Sequence, residues 1–113
     1  MKHQAINSPI GFADAEIISY QKLDDSLEVH IQAWNQKQLE IKFRSVVRVL
    51  DSDAGDISGL YEILGGSQFL ADAVNRVYLT PTSMTPLHHY QFVDLGGEAT
   101  LEIVAESISI TMV

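Results

Sequence analysis

Apolar and polar side chains alternate along most of this chain, and the period is two. In LEVHIQAW (27–34), Leu27, Val29, Ile31 and Ala33 share one parity while Glu28, His30, Gln32 and Trp34 share the other, which is the pattern of a half-buried strand. EIISYQKL (16–23) precedes it, and a two-residue turn at Asp24-Asp25 sets Tyr20 opposite Val29 and Ile18 opposite Ile31. LEIKFRSVVRVL (39–50) reads as a third strand. Leu39, Ile41, Phe43, Val47 and Val49 lie on one face with Ser45 as the lone polar member, and Glu40, Lys42, Arg44 and Arg48 lie on the other. Directly opposed residues must share a face, so a three- or five-residue loop around NQKQ is required. One register sets Glu28 against Arg44, the other His30 against Arg44. These three strands form a meander with a basic strip on its outer face.

The period changes between Asp51 and Thr80. SQFLADAVNRVYL (67–79) carries Phe69, Leu70, Ala73, Val74, Val77 and Tyr78 along one side at helical spacing, with Ser67 as N-cap and Gly65-Gly66 breaking what comes before. ISGLYEIL (57–64) fits a short helix or a strand. Pro81 and Pro86 bracket a loop. Alternation then resumes on either side of Gly96-Gly97, the signature of a type I′ hairpin. Counting outward pairs Phe92 with Leu101, Tyr90 with Ile103 and His88 with Ala105, and on the other face Val93 with Thr100, Gln91 with Glu102 and His89 with Val104. Beyond Ala105 the apolar parity flips to Ile108, Ile110 and Met112, so a bulge or bend belongs near Glu106-Ser107. The resulting edge strand can pair with a second subunit or a partner.

These patterns predict an α+β fold: an antiparallel sheet of five or six strands, a meander plus the C-terminal hairpin, with one main helix from the middle of the chain packed on one face. At 113 residues the chain is expected to be a single domain, 1–113, with residues 1–13 as a loose N-terminal arm.

Composition narrows the chemistry. There is no cysteine, which removes disulfides, thiolate zinc sites and cysteine nucleophiles. No apolar run is long enough to span a bilayer and the first residues lack a secretory signal, so the cytoplasm is the expected compartment. A net charge of −8 repels phosphate backbones and anionic lipid, so neither nucleic acid nor membrane is an expected partner. Residues 37–48 nevertheless hold Lys37, Lys42, Arg44 and Arg48 against Glu40, a local +3 that leaves −11 on the remainder.

Two segments approach known motifs. VVRVLDSDAGD (46–56) ends a hydrophobic strand in Asp51-x-Asp53, which resembles the first motif of haloacid-dehalogenase-type phosphatases; there the first aspartate attacks phosphorus and the second handles the proton. The expected Gly-Thr is replaced by Ala54-Gly55, and the strand alternates charge with apolar residues, unlike the buried strand of a parallel sheet. Asp51, Asp53 and Glu62 also occupy positions 1, 3 and 12 of a calcium loop, but position 5 is Gly55 and position 6 is Asp56 where glycine is needed. A solvated turn with Asp56 capping a short helix is the simpler reading.

The histidine pair is separated by strand geometry. His88 falls on the core-facing parity and His89 on the outer one, so they cannot ligate one ion while the strand stays regular. His89 reads as an ordinary exposed sheet residue, and His88 as an edge-of-core histidine or a general acid/base. The leading expectation is a non-enzymatic, cofactor-free module that binds a protein partner or itself, with Trp34, His30, Lys42, Arg44 and Arg48 on its contact face. Small acidic immunity and inhibitor proteins share this composition. The alternative is a small-ligand or metal-binding enzyme with its site at His88. Asp94 lies about 20 Å along the strand from His88, too far to act with it.

Overall fold

Every alternating run becomes a strand, yet the strands assemble into two sheets instead of one. The computed structural model describes residues 2–64, 68–77 and 87–113. In chain order the strands are β1 (Lys2–Ala5), β2 (Ala15–Leu23), β3 (Ser26–Gln32), β4 (Gln38–Arg44), β5 (Arg48–Asp51), β6 (Asp56–Ile57), β7 (Gly59–Leu64), β8 (His88–Val93), β9 (Ala99–Ala105) and β10 (Ser107–Met112), with helix α1 (Gln68–Val77) between β7 and β8. Sheet A has the order β1-β7-β8-β9-β5 and sheet B the order β10-β4-β3-β2-β6, and every described pairing is antiparallel.

This corrects the α+β expectation. The protein is mostly β, and its core lies between two five-stranded sheets, not between a sheet and a main helix. The physical reason is that runs which read as single long strands bend from one sheet into the other. LEIKFRSVVRVL is broken at Ser45, whose φ of 54° is left-handed. Val46, on the parity opposite to Phe43, becomes buried there, and the chain re-emerges as β5 in sheet A. Its partner ribbon bends at Glu106, where the parity flip was expected. Hydrogen bonds from Glu106 N to Arg44 O (3.0 Å) and from Val47 N to Val104 O (2.9 Å) carry the ladder around the corner. Residues 57–64, left open between helix and strand, contain a third crossing: β6 in sheet B passes through Ser58 into β7 in sheet A.

The core follows from the alternation. Leu27, Val29 and Ile31 of β3 and Leu39, Ile41 and Phe43 of β4 face Leu60, Tyr90, Phe92, Leu101 and Ile103 of sheet A in one buried cluster. The Phe43 ring centroid is 5.3 Å from that of Tyr90 and 6.1 Å from that of Phe92. Each such side chain contributes about 1.5–3 kcal/mol by leaving water.

Register is where parity arguments reach their limit. The β2–β3 turn at Asp24-Asp25 and the pair Tyr20–Val29 are as expected, but a bulge makes Ile17, not Ile18, the partner of Ile31 and leaves Ile18 half exposed. The β3–β4 connection is a three-residue loop, Trp34-Asn35-Gln36, closed by Ala33 N donating to Lys37 O at 2.8 Å. Glu28 therefore faces Lys42 and His30 faces Glu40; neither faces Arg44. In the C-terminal hairpin the pairs from Phe92–Leu101 to His88–Ala105 hold, whereas Val93 pairs with Ala99. Only Gly97 takes positive φ, 83°, so the turn is Leu95-Gly96-Gly97 with an adjoining bulge and not a type I′ pair.

Helix α1 is a small accessory on the outer face of sheet A. Ala73 is buried, and so are Ile63, His89 and Val104 on that face, outside the inter-sheet cluster. The Gly65-Gly66 break, the Ser67 cap, Tyr78, the Pro81–Pro86 loop and the side chains of Val74 and Val77 lie outside the described residues. No described helix is long and apolar enough to cross a membrane.

Candidate functional site

Sheet B presents a polar outer face and, among the described residues, an unpaired edge at β10. His30, Lys42 and Arg44 stand on that face, opposite Glu40, Ser109 and Ser107 respectively. Trp34 is not on the strand; it opens the β3–β4 loop and is 64% exposed. Arg44 closes β4 at the far end, roughly 25 Å away along the strand. Arg48 is elsewhere altogether. It sits on sheet A, where its guanidinium lies 4.0 Å over the Phe69 ring, donates to the Phe69 carbonyl at 3.2 Å and faces Asp72 at 4.0 Å. The five residues expected on one contact face are thus distributed over an outer face, a loop tip and the opposite sheet.

The edge is β10, the strand that the parity flip beyond Ala105 pointed to. β10 pairs with β4 from Ser107–Arg44 to Met112–Leu39, and Val113 N donates to Gln38 O at 3.0 Å. In an antiparallel ladder hydrogen-bonded positions alternate. If Val113 bonds to β4, so do Ser109 and Thr111, and the N–H and C=O groups of Ile108, Ile110 and Met112 point away from it. Among the described residues no strand lies on that side. Met112 and Val113, 46% and 77% exposed, finish the strand at the same end of the sheet as the Trp34 loop.

A second group of ionisable side chains gathers at the end of the inter-sheet core. Glu62 pairs across the ladder with Tyr90, and His88 with Ala105, so all face inward. His88 Nδ1 is 2.7 Å from Glu62 Oε2. Tyr90 is buried against Phe43, and burial, aided by the Glu62 charge, pushes its phenol up to about 12. Glu102 lies on the opposite face of the sheet, with His89 and Gln91. Glu62 stood out in the sequence only as position 12 of a calcium loop, because its segment had no assigned period. Its inward parity alongside Leu60 is the signal that would have found it.

His89 is not the exposed sheet residue it was expected to be. Its Nε2 is 2.8 Å from Glu102 Oε1, which also accepts from Gln91 Nε2 at 2.7 Å, and the Phe69 ring stacks on the imidazole at 4.8 Å. His89 is buried by this arrangement, which ties α1 to the sheet.

The aspartates serve the turns. Asp94 Oδ1 accepts from the N–H groups of Gly96 and Glu98. Asp51 Oδ1 accepts from Ala54 N at 2.8 Å, and its Oδ2 from the Tyr20 hydroxyl at 2.5 Å. The Tyr20 bond raises the phenol and, with the Ala54 N–H, lowers the Asp51 carboxyl. Asp56 begins β6 and caps no helix, contrary to expectation. Glu16, Asp53, Asp56 and Asp94 border an open groove of about 500 Å³. Among the described residues, no three side chains of metal-ligand type converge.

Comparison with family models, with curated proteins and with solved structures finds no match for this chain.

Proposed function

We propose that this protein is a non-enzymatic binding module, cytoplasmic and cofactor-free, which engages a protein surface through the β10 edge and the Trp34 end of sheet B. The carrying observation is an uncharged six-residue edge, SISITM, whose outward backbone groups have no partner among the described residues. Edge strands left open in this way are templates for strand addition. Trp34, Met112 and Val113 supply apolar anchors at one end of that edge, and tryptophan is favoured in such positions. His30, Lys42 and Arg44 on the adjoining face, interleaved with Glu28 and Glu40, give that edge a rim of mixed charge, which tunes association rate and partner choice.

The test is photocrosslinking from defined positions. A crosslinker at Ser109 or Trp34 is expected to yield discrete protein adducts in cells, and one at Glu98, on the exposed turn between β8 and β9, is expected to yield none. Equal labelling from all three sites would remove the reading.

A second reading is supported by the Glu62–His88 pair. A carboxylate on Nδ1 fixes the imidazole tautomer and leaves Nε2 to accept a proton or hold a metal ion. Under this alternative the chain is a small-ligand or metal-binding enzyme. Native mass spectrometry without chelator would then show a stoichiometric ion that Glu62→Gln weakens by at least tenfold.

A further inference from the structure

The geometry points to a second copy of this chain as the occupant of the β10 edge, joined across a two-fold axis in one register; this rests on the edge-binding reading above. The four sheet edges differ in how they are defended. β1 is four residues long, β5 is four residues with Arg48 and Asp51, and β6 is two residues including Asp56. Short length and charge are what keep such edges from pairing. β10 has six residues and carries no charge, proline or glycine. In a chain of net −8, it is the strand along which two copies approach with least repulsion.

The ladder restricts the register. The outward N–H and C=O groups belong to Ile108, Ile110 and Met112, so these must be the hydrogen-bonded positions of the new pair. An antiparallel strand added by two-fold symmetry satisfies all of them when Ile110 meets Ile110 of the partner subunit and Ile108 meets Met112 of the partner subunit. Three such pairs exchange two bonds each. The same alignment sets apolar residues of the inner parity together, and sets Ser109 against Thr111 of the partner subunit on the outer face. It is an isologous contact, closed at two copies. The alignments one step to either side pair Ser109 or Thr111 with itself and leave the outward groups of Met112 or of Ile108, respectively, unmet.

That difference makes the register testable. Within one copy Ser109 faces Lys42 and Thr111 faces Glu40. In S109E/T111K each new charge has an opposite partner on β4 and, in the inferred register, an opposite partner across the axis. In S109E/T111E the two-fold brings glutamate against glutamate. Sedimentation of the full chain is expected to give a species of twice 12.5 kDa for the native sequence and for S109E/T111K. S109E/T111E should weaken the dimer at least tenfold, with far-UV circular dichroism confirming that each variant folds. A native chain that stays monomeric at high concentration overturns the second copy. So does a dimer indifferent to these pairs, which must use another surface. Neither result touches the broader reading if crosslinks from Ser109 reach a different protein, whereas a monomer giving no Ser109 adducts ends both.

Discussion

Tyr90 carries its hydroxyl at the end of a core made otherwise of hydrocarbon, close to the Glu62 carboxylate. Both surroundings oppose a phenolate, burial more than charge, and the group is pushed up to about 12 from an ordinary value of 10.0. Because the folded value is the higher one, the folded state holds this proton more tightly than the unfolded chain. The associated stability is complete below pH 10 and is lost as pH rises towards 12, on the order of 2 to 3 kcal/mol. Tyr90→Phe keeps the ring against Phe43 and deletes the titration. Near neutrality it is expected to change stability by less than about 0.5 kcal/mol. At alkaline pH it should outlast the native protein in denaturant titrations. If the two lost stability in parallel between pH 10 and 12, the phenol would not be the group responsible.

At the scale of the element, the β8–β9 hairpin shows what local chemistry fixes. Gly97 has a φ of 83°, a region costly for a side chain, whereas a methyl on Gly96 would meet only Asp94 Oδ1 at 3.4 Å. Gly97→Ala is expected to cost about 1 kcal/mol or more and Gly96→Ala about 0.5 kcal/mol or less, read from denaturant midpoints. A type I′ turn would penalise both equally. Alternation made the strands and their faces legible in the sequence: Tyr90, Phe92, Leu101 and Ile103 all face inward as their parity requires. What parity cannot encode is a shift of register by two, which preserves every face; Glu28 meeting Lys42 instead of Arg44 is such a shift. Nor can it show that one apolar run serves two sheets, because the bend at Ser45 depends on tertiary hydrogen bonds such as Val46 N to Asp25 O. The expected basic strip failed for that reason, with Arg48 carried round the corner to α1. His88 stood out by residue type, while its partner Glu62 became visible only when β7 was paired with β8.

For the molecule as a whole, two of the three bends, at Glu106 and at Ser58, have a topological consequence. From β7 the hydrogen-bonded neighbours run through β8 to β9, whose chain continues as β10; from there they run through β4, β3 and β2 to β6, whose chain continues as β7. The two sheets thus form one closed circuit, and neither can lose its pairing without opening strands that belong to the other. Phe43 sits between the two sheets, fully buried in sheet B against Tyr90 and Phe92 of sheet A. Phe43→Ala removes contacts on both sides at once and is expected to cost about 3–5 kcal/mol. The loss should also be shared. Denaturation followed by far-UV circular dichroism, which reports all strands, and by the near-UV tyrosine signal, to which Tyr61 and Tyr90 of sheet A contribute, should give one coincident transition in both the native protein and the variant. Two separated transitions would mean that the sheets unfold independently and that the continuous strands do not couple them. Coincidence at a lowered midpoint would place the stability of the β10 edge under the same control as the core, since β10 is held through β4, the strand that carries Phe43.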